Sequence, residues 1–138
     1  MSELPASFHW PVRIYWEDTD AGGVVYHANY LRFLERARTE WLRTSGVDQS
    51  QYKADTGLVL VLRDMQLDFL KPARLDDELI VSVNVKERRS ASILFDQDIV
   101  RSADGQLLLR AQLRVACVDS RSMRPAQLPT DLIPRFSP

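Results

Sequence analysis

The feature that most constrains this chain is an imbalance of periods. One long segment repeats every ~3.6 residues, while almost all the rest alternates every two. The helical segment spans residues 29 to about 45. Projected at about 100° per residue, Tyr30, Phe33, Leu34, Ala37 and Trp41 cluster within about 100° of arc, and Leu31 and Leu42 widen that face to about half the circumference. Arg32, Glu35, Arg36, Thr39, Glu40 and Arg43 fill the other half. Asn29 is placed to cap the N-terminus, and Gly46 to end the helix in a left-handed conformation. Arg36 and Glu40 form an i,i+4 pair worth about 0.2–0.5 kcal/mol. Burial of the apolar face matters more, at roughly 1.5–3 kcal/mol for each large side chain. Arg38 breaks the pattern, projecting at about 80°, inside the apolar half. Either it snorkels its head to the rim, or it is a buried cation paired with a carboxylate of the preceding loop or of a second subunit.

The remaining apolar residues read as strands. In residues 8–16, Val12, Ile14 and Trp16 alternate with Arg13 and Tyr15, and Pro11 confines the start to a sheet edge or an irregular position. Residues 48–56 read as a short polar turn or helix closed by Gly57. Residues 58–62 are a continuous apolar run, after which Met65, Leu67 and Phe69 alternate with Gln66 and Asp68. A turn at Lys71-Pro72-Ala73-Arg74-Leu75-Asp76-Asp77 leads to Leu79, Val81, Val83 and Val85, alternating with Ser82, Asn84 and Lys86. Ile93, Phe95 and Ile99 alternate with Asp96 and Asp98, and Ala103-Asp104-Gly105-Gln106 is a hairpin signal. Leu107, Leu109, Ala111, Leu113, Val115 and Cys117 then alternate with Leu108, Arg110, Gln112 and Arg114. The tail, 121–138, has four prolines and no period, and reads as an irregular surface segment.

These elements add up to a single antiparallel α+β domain over residues 1–138: one strand, one long helix, then four more strands on short connections. A helix of ~17 residues is about 25 Å long. Strands of ~10 residues reach about 33 Å, so a curled five-stranded sheet can wrap the helix along its length. Its edges stay bare, and pairing of two subunits through their sheets is the natural remedy.

Composition narrows the function. The net charge of −1 argues against a broad nucleic-acid-binding surface. A local patch for a small polyanion is compatible with it, because 15 of the 18 cations are arginine, whose planar fork suits phosphate. The densest cationic run is Lys86-Glu87-Arg88-Arg89, which reads equally as a solvated hairpin rim or as a phosphate contact. No apolar run approaches the ~20 residues needed to span a bilayer. The start, Met-Ser-Glu-Leu-Pro, has no signal-peptide pattern, and the lone Cys117 fits a reducing compartment, so a cytoplasmic protein is expected. Cys117 falls on an apolar face, as a packed core thiol does.

Between the first strand and the helix lies the densest chemistry: Glu17, Asp18 and Asp20, then Gly22 and Gly23, then His27. A loop carboxylate can act as a general base toward water or as a nucleophile. The glycines let the chain turn tightly and let a substrate approach the backbone. The N–H groups of the helix's first turn, with the positive end of its dipole, can receive an oxyanion. Together these suit attack on a carbonyl or thioester without a metal. The plainer reading makes Asp18 and Asp20 Asx-turn residues and His27 a satisfied histidine outside the cap. A metal held by Glu17, Asp18, Asp20 and His27 lacks a second histidine or a carboxylate cluster at ligand spacing.

The run from Glu17 to Tyr30, continuing to Glu35-Arg36-Ala37-Arg38, closely resembles the hotdog-fold acyl-CoA thioesterases of the 4-hydroxybenzoyl-CoA thioesterase type, above all those associated with the bacterial Tol-Pal system. The likeness extends to Pro72-Ala73-Arg74-Leu75-Asp76-Asp77 and Val115-Ala116-Cys117-Val118-Asp119. It implies a five-stranded antiparallel sheet around one long central helix, assembly as a homodimer or homotetramer, active sites at subunit interfaces, and no cofactor. The catalytic carboxylate would be Asp20, with His27 beside the thioester. Backbone groups of Gly23, Val24, Tyr26 and His27 would hold the oxyanion, and Asp18, Asn29, Glu35 and Arg38 would support the site. Lys86, Arg88 and Arg89 are the expected contacts for the phosphates of coenzyme A. An acyl-thioester hydratase or dehydratase on the same fold, or a non-catalytic module binding an acyl carrier protein or another partner, are the alternatives.

Overall fold

The structure is a computed structural model that describes residues 8–132. The N-terminal segment read above for a signal peptide and the last residues of the tail lie outside them. The elements in order are β1 (Phe8–Arg13), a single 3-10 turn (Trp16–Asp18), α1 (His27–Thr44), α2 (Gln49–Thr56), β2 (Leu58–Phe69), β3 (Glu78–Arg88), β4 (Ser92–Arg101) and β5 (Leu107–Asp119). The strands form one antiparallel sheet in the order β1-β3-β4-β5-β2. Pro11 stands on β1, an edge strand, where its missing N–H costs no ladder bond.

Helix α1 buries Tyr30, Phe33, Leu34, Ala37 and Leu42, the face expected from the period. Trp41 meets Phe95 of β4 edge-on at 5.4 Å. Gly46 is left-handed, with φ 83°. The polar segment before β2 is indeed a helix, α2, capped by the Asp48 side chain on the Gln51 N–H and closed by left-handed Gly57. Among the described residues no helix is long and apolar enough to cross a membrane.

Several expectations need correction. Trp16 does not share the inward face of β1: the strand ends at Arg13, the chain enters the 3-10 turn, and Trp16 is 79% exposed. Glu40 pairs with Arg43 at 2.8 Å rather than with Arg36, whose guanidinium lies over the Phe33 ring. Leu108 belongs to the core, not to the polar face of β5. The β4–β5 register shifts there, a bulge that turns both Leu108 and Leu109 inward. The tail is irregular but not superficial: Leu128 and Leu132 are buried, and the Leu128 N–H donates to Ser90 O at 2.7 Å. Cys117 is buried on β5, and burial pushes its thiol pKa up, as suits a core residue.

Candidate active site

The loop between β1 and α1 is a small hydrogen-bonded hairpin. The Asp18 carboxylate accepts the Tyr15 N–H at 2.8 Å, and the Thr19 hydroxyl donates to Trp16 O at 2.8 Å, which closes the 3-10 turn. Thr19 and Val25 then form an antiparallel bridge, with the Asp20 N–H on Val24 O at 2.9 Å and the Gly23 N–H on Asp20 O at 3.0 Å. The Tyr26 N–H donates to Asp18 O at 2.9 Å, so α1 starts directly beside the acidic turn.

The two aspartates divide their work. Asp18 is scaffold through both its carboxylate and its carbonyl. Asp20 is exposed, and its Oδ1 accepts the Gly22 N–H at 2.8 Å in an Asx-turn. Its Oδ2 has no hydrogen-bond partner among the described residues. A Cβ at Gly22 would press on Asp20 Oδ1 at 3.1 Å, and Gly23 sits at φ 80°, so both glycines shape the carboxylate's seat.

Asn29 is not the N-cap. Tyr26 holds that position without a side-chain cap, because α1 begins at His27. Asn29, buried in the first turn, instead donates its side-chain N–H to Asp18 O at 2.9 Å and ties the helix to the hairpin. The N-terminus of α1 is therefore left open toward the loop. Of the four expected backbone donors, Gly23 and Tyr26 are bonded within the hairpin, while Val24 and His27 have no partner among the described residues. The His27 ring is exposed and lies 4.4 Å from the Tyr26 ring.

The hairpin rests on the segment before β3. The Val25 N–H donates to Ala73 O at 2.9 Å, and the buried Ala73 N–H donates to the Tyr30 hydroxyl at 3.0 Å. Burial raises the pKa of Tyr30 above the ordinary phenol value, so it stays a neutral hydroxyl. Arg101 clamps the same segment through Asp77 at 3.2 Å and Pro72 O at 3.1 Å, and is itself held by Asp104 of the β4–β5 turn at 2.9 Å. Tyr30 gave no functional signal in the sequence, since only its apolar placement shows in the period. Replacing Tyr30 with Phe strands the Ala73 N–H, and we expect a loss of about 1–3 kcal/mol in a urea melt, far above that of an exposed Tyr-to-Phe change.

Arg38 is half-buried, and no carboxylate of the preceding loop holds it. It donates to the Gln97 side-chain oxygen at 2.9 Å, so its direct partner is a neutral amide on β4 rather than a loop carboxylate. Burial lowers its pKa, and the charge of Glu35 opposes that shift. Glu35 and Arg38 border a cleft of about 260 Å³ whose wall includes Leu42, Leu60, Leu62, Phe95 and Val115.

The cationic cluster lies elsewhere. Strand β3 starts beside the hairpin at Glu78 and ends at Arg88, about 33 Å away along the strand. Arg89 is bound to Glu87 at 2.6 Å, and Glu87 also takes Arg114 at 3.3 Å. Hydrogen bonds from Arg114 and Arg89 hold the Glu87 carboxyl below its ordinary pKa. Lys86 lines a separate cleft with Asp68, Asp96 and Asp98, and the buried Arg88 Nε has no partner among the described residues. The sequence brought Asp20 and His27 into one place; Lys86, Arg88 and Arg89 are not near them within one chain. Among the described residues no group of acids, histidines and cysteines is arranged to hold a metal ion.

Comparison with known proteins gives this geometry a context. The thioesterase-like superfamily profile matches residues 14–136. An acyl-CoA thioesterase YbgC of Haemophilus influenzae is 44% identical over 133 residues, covering 96% of each chain. An acyl-CoA thioester hydrolase YbgC of Escherichia coli is 46% identical over 129 residues, covering 94% of this chain and 95% of its own. Among solved structures, a 4-hydroxybenzoyl-CoA thioesterase mutant complexed with 4-hydroxybenzoyl-CoA superposes with a TM-score of 0.88 at 26% identity, covering 96% of this chain and 100% of its own. The five-stranded antiparallel sheet and two helices are thus matched across nearly the whole length, and the chain belongs to the thioesterase-like superfamily.

Proposed function

We propose that this protein hydrolyses the thioester bond of acyl-CoA, releasing free acid and CoA, with Asp20 as the reacting carboxylate. The observation that carries the assignment is the state of that carboxylate. Oδ1 is anchored by the Gly22 N–H, and Oδ2 has no partner among the described residues, on the hairpin that leads into an uncapped helix N-terminus. Two routes use Oδ2. It takes a proton from a water that adds to the thioester carbon, or it attacks that carbon itself, and water then splits the resulting anhydride. In both, the carbon–sulfur bond breaks, CoA leaves as the thiolate and the thiol is restored by a proton from solvent. Negative charge gathers on the thioester oxygen, and the free Val24 and His27 amides at the positive end of α1 receive it. The His27 imidazole assists by hydrogen bonding from the same end.

The thiol-release assay over short, long and aromatic acyl-CoAs tests this reading. No released thiol, with CoA still bound, would leave a non-catalytic acyl-carrier or partner-binding module. Loss of the conjugated double bond of an enoyl-CoA without thiol release would mean a hydratase. A single turnover in ¹⁸O-water, followed by a search for label in Asp20, separates nucleophile from base.

The same reading takes residues 1–138 as one domain with α1 as its central helix, a view supported by the core cluster that joins α1 to the sheet among the described residues. It also takes the protein as a cytoplasmic homodimer or homotetramer linked to the Tol-Pal system. Exposed Leu62, Phe69 and Leu70 at the edge strand β2 support assembly. Assembly also accounts for the distant cations: Arg88 and Arg89 serve the CoA phosphates at a neighbouring subunit's hairpin. Charge reversal at both, Arg88→Glu with Arg89→Glu, then raises KM about tenfold or more with little change in kcat, and flattens the rise of KM with salt. An unchanged KM would remove these residues from the site.

A further inference from the structure

Gln97 is the most deeply buried polar residue of the described chain, with no exposed surface. It stands on β4 in the inward series Ile93, Phe95, Gln97 and Ile99, opposite Ala111. A primary amide in so dry a place must have its polar atoms satisfied, or it destabilises the fold. Both of its ends are used, and both go to α1. Its side-chain N–H donates to Leu34 O at 3.1 Å, and its oxygen accepts from Arg38 at 2.9 Å. The amide therefore grips one turn of the helix at two points.

Apolar burial does not by itself set where a helix lies along its axis, because it is non-directional and scales with area. It resists lifting α1 off the sheet far more than sliding it. Directional hydrogen bonds resist sliding. What depends on the axial position of α1 is its N-terminus, about 10 Å from Leu34 along the helix. There Asn29 supplies the second tie, to Asp18 O. The two amides together hold the opening turns of α1 between the sheet and the hairpin that carries Asp20.

We infer that Gln97 is a positioning residue for the thioester reaction: by gripping Leu34 and Arg38 it sets the axial register of α1, and so the distance from the helix N-terminal amides to Asp20. This inference rests on the hydrolase reading above. It also gives Arg38 a role, as the second jaw of the grip.

The test uses Gln97→Leu and the double variant Arg38→Met with Gln97→Leu, each assayed for kcat, KM and thermal midpoint beside the wild type. Gln97→Leu lowers kcat by about 10- to 100-fold with KM within about twofold, as expected for a misplacement on the order of 1 Å. The double variant removes the cation left without its acceptor, so its thermal midpoint recovers while kcat stays low. Wild-type kcat in Gln97→Leu overturns the inference. Recovery of kcat together with the midpoint in the double variant also overturns it, since Gln97 would then only solvate Arg38. If Gln97→Leu fails to fold, Gln97→Glu keeps an acceptor for Arg38 but loses the donor to Leu34, and the same fall in kcat is required of it. A wild-type chain that releases no thiol sinks the hydrolase reading itself, whereas wild-type turnover with unaffected variants sinks only this inference.

Discussion

Replacing Asp20 with Asn is expected to lower kcat for acyl-CoA hydrolysis by about 10³-fold or more, whichever route the carboxylate follows. The geometry makes this a clean substitution. The asparagine oxygen can keep the bond to the Gly22 N–H that Oδ1 accepts, so the turn survives. The atom that changes is Oδ2, where an amide nitrogen can neither take a proton from water nor attack carbon. Asp20 is exposed, and a surface change of this kind moves stability by no more than about 0.5 kcal/mol. Activity should therefore vanish while the circular dichroism, the thermal midpoint and CoA binding stay near wild type. Turnover within tenfold of wild type would withdraw the carboxylate from the chemistry. Removing the acceptor at Asp18, as in Asp18→Ala, should act through stability instead, because its oxygen closes the 3-10 turn on Tyr15.

The largest stability effect should come from Phe33→Ala, at about 3–5 kcal/mol. Phe33 is 1% exposed and sits in the middle of the buried face of α1, edge-on to Tyr30 at 6.1 Å. Truncation removes apolar burial and leaves a cavity that a sheet–helix interface closes poorly. It also loosens Tyr30, whose hydroxyl holds Ala73 and through it the hairpin. A urea titration should show a lower midpoint at an unchanged slope. A loss below about 1 kcal/mol would mean that α1 is held by something other than its apolar face.

Much of the architecture was legible because period and face are local properties. The apolar residues of α1, the left-handed Gly46 and Gly57, the Asp-Gly turn at Gly105 and the inward face of most strands all follow from spacing. The failures cluster where two segments meet. The alternating phase runs on past Arg13 to Trp16 although the strand does not, because nothing in the period announces that the Asp18 carboxylate will take the Tyr15 amide and turn the chain. The bulge at Leu108 is invisible to an alternating pattern, since inserting one residue changes the phase only after pairing with β4. Gln97 did leave a trace, as a polar residue at an inward position of an alternating strand. Its partners could not be read, because Leu34 and Arg38 lie 63 and 59 residues away in the chain.

The candidate site divides along the same line. The residue types of the hairpin, their order, and the change of period from two to 3.6 just after His27 are written in the chain, and they already point to a carboxylate facing a helix start. Which aspartate is scaffold and which is free was set where the hairpin meets α1, since Asp18 O takes the Tyr26 N–H and the Asn29 side chain. So was the starting residue of α1, which turned Asn29 from a cap into a tie and left the Val24 and His27 amides open. The placement of Arg88 and Arg89 at the far end of β3 is likewise a matter of strand length and direction. Local sequence specifies period, turn and cap, because those depend on neighbours a few residues away; the state of each polar atom depends on what long-range packing brings against it.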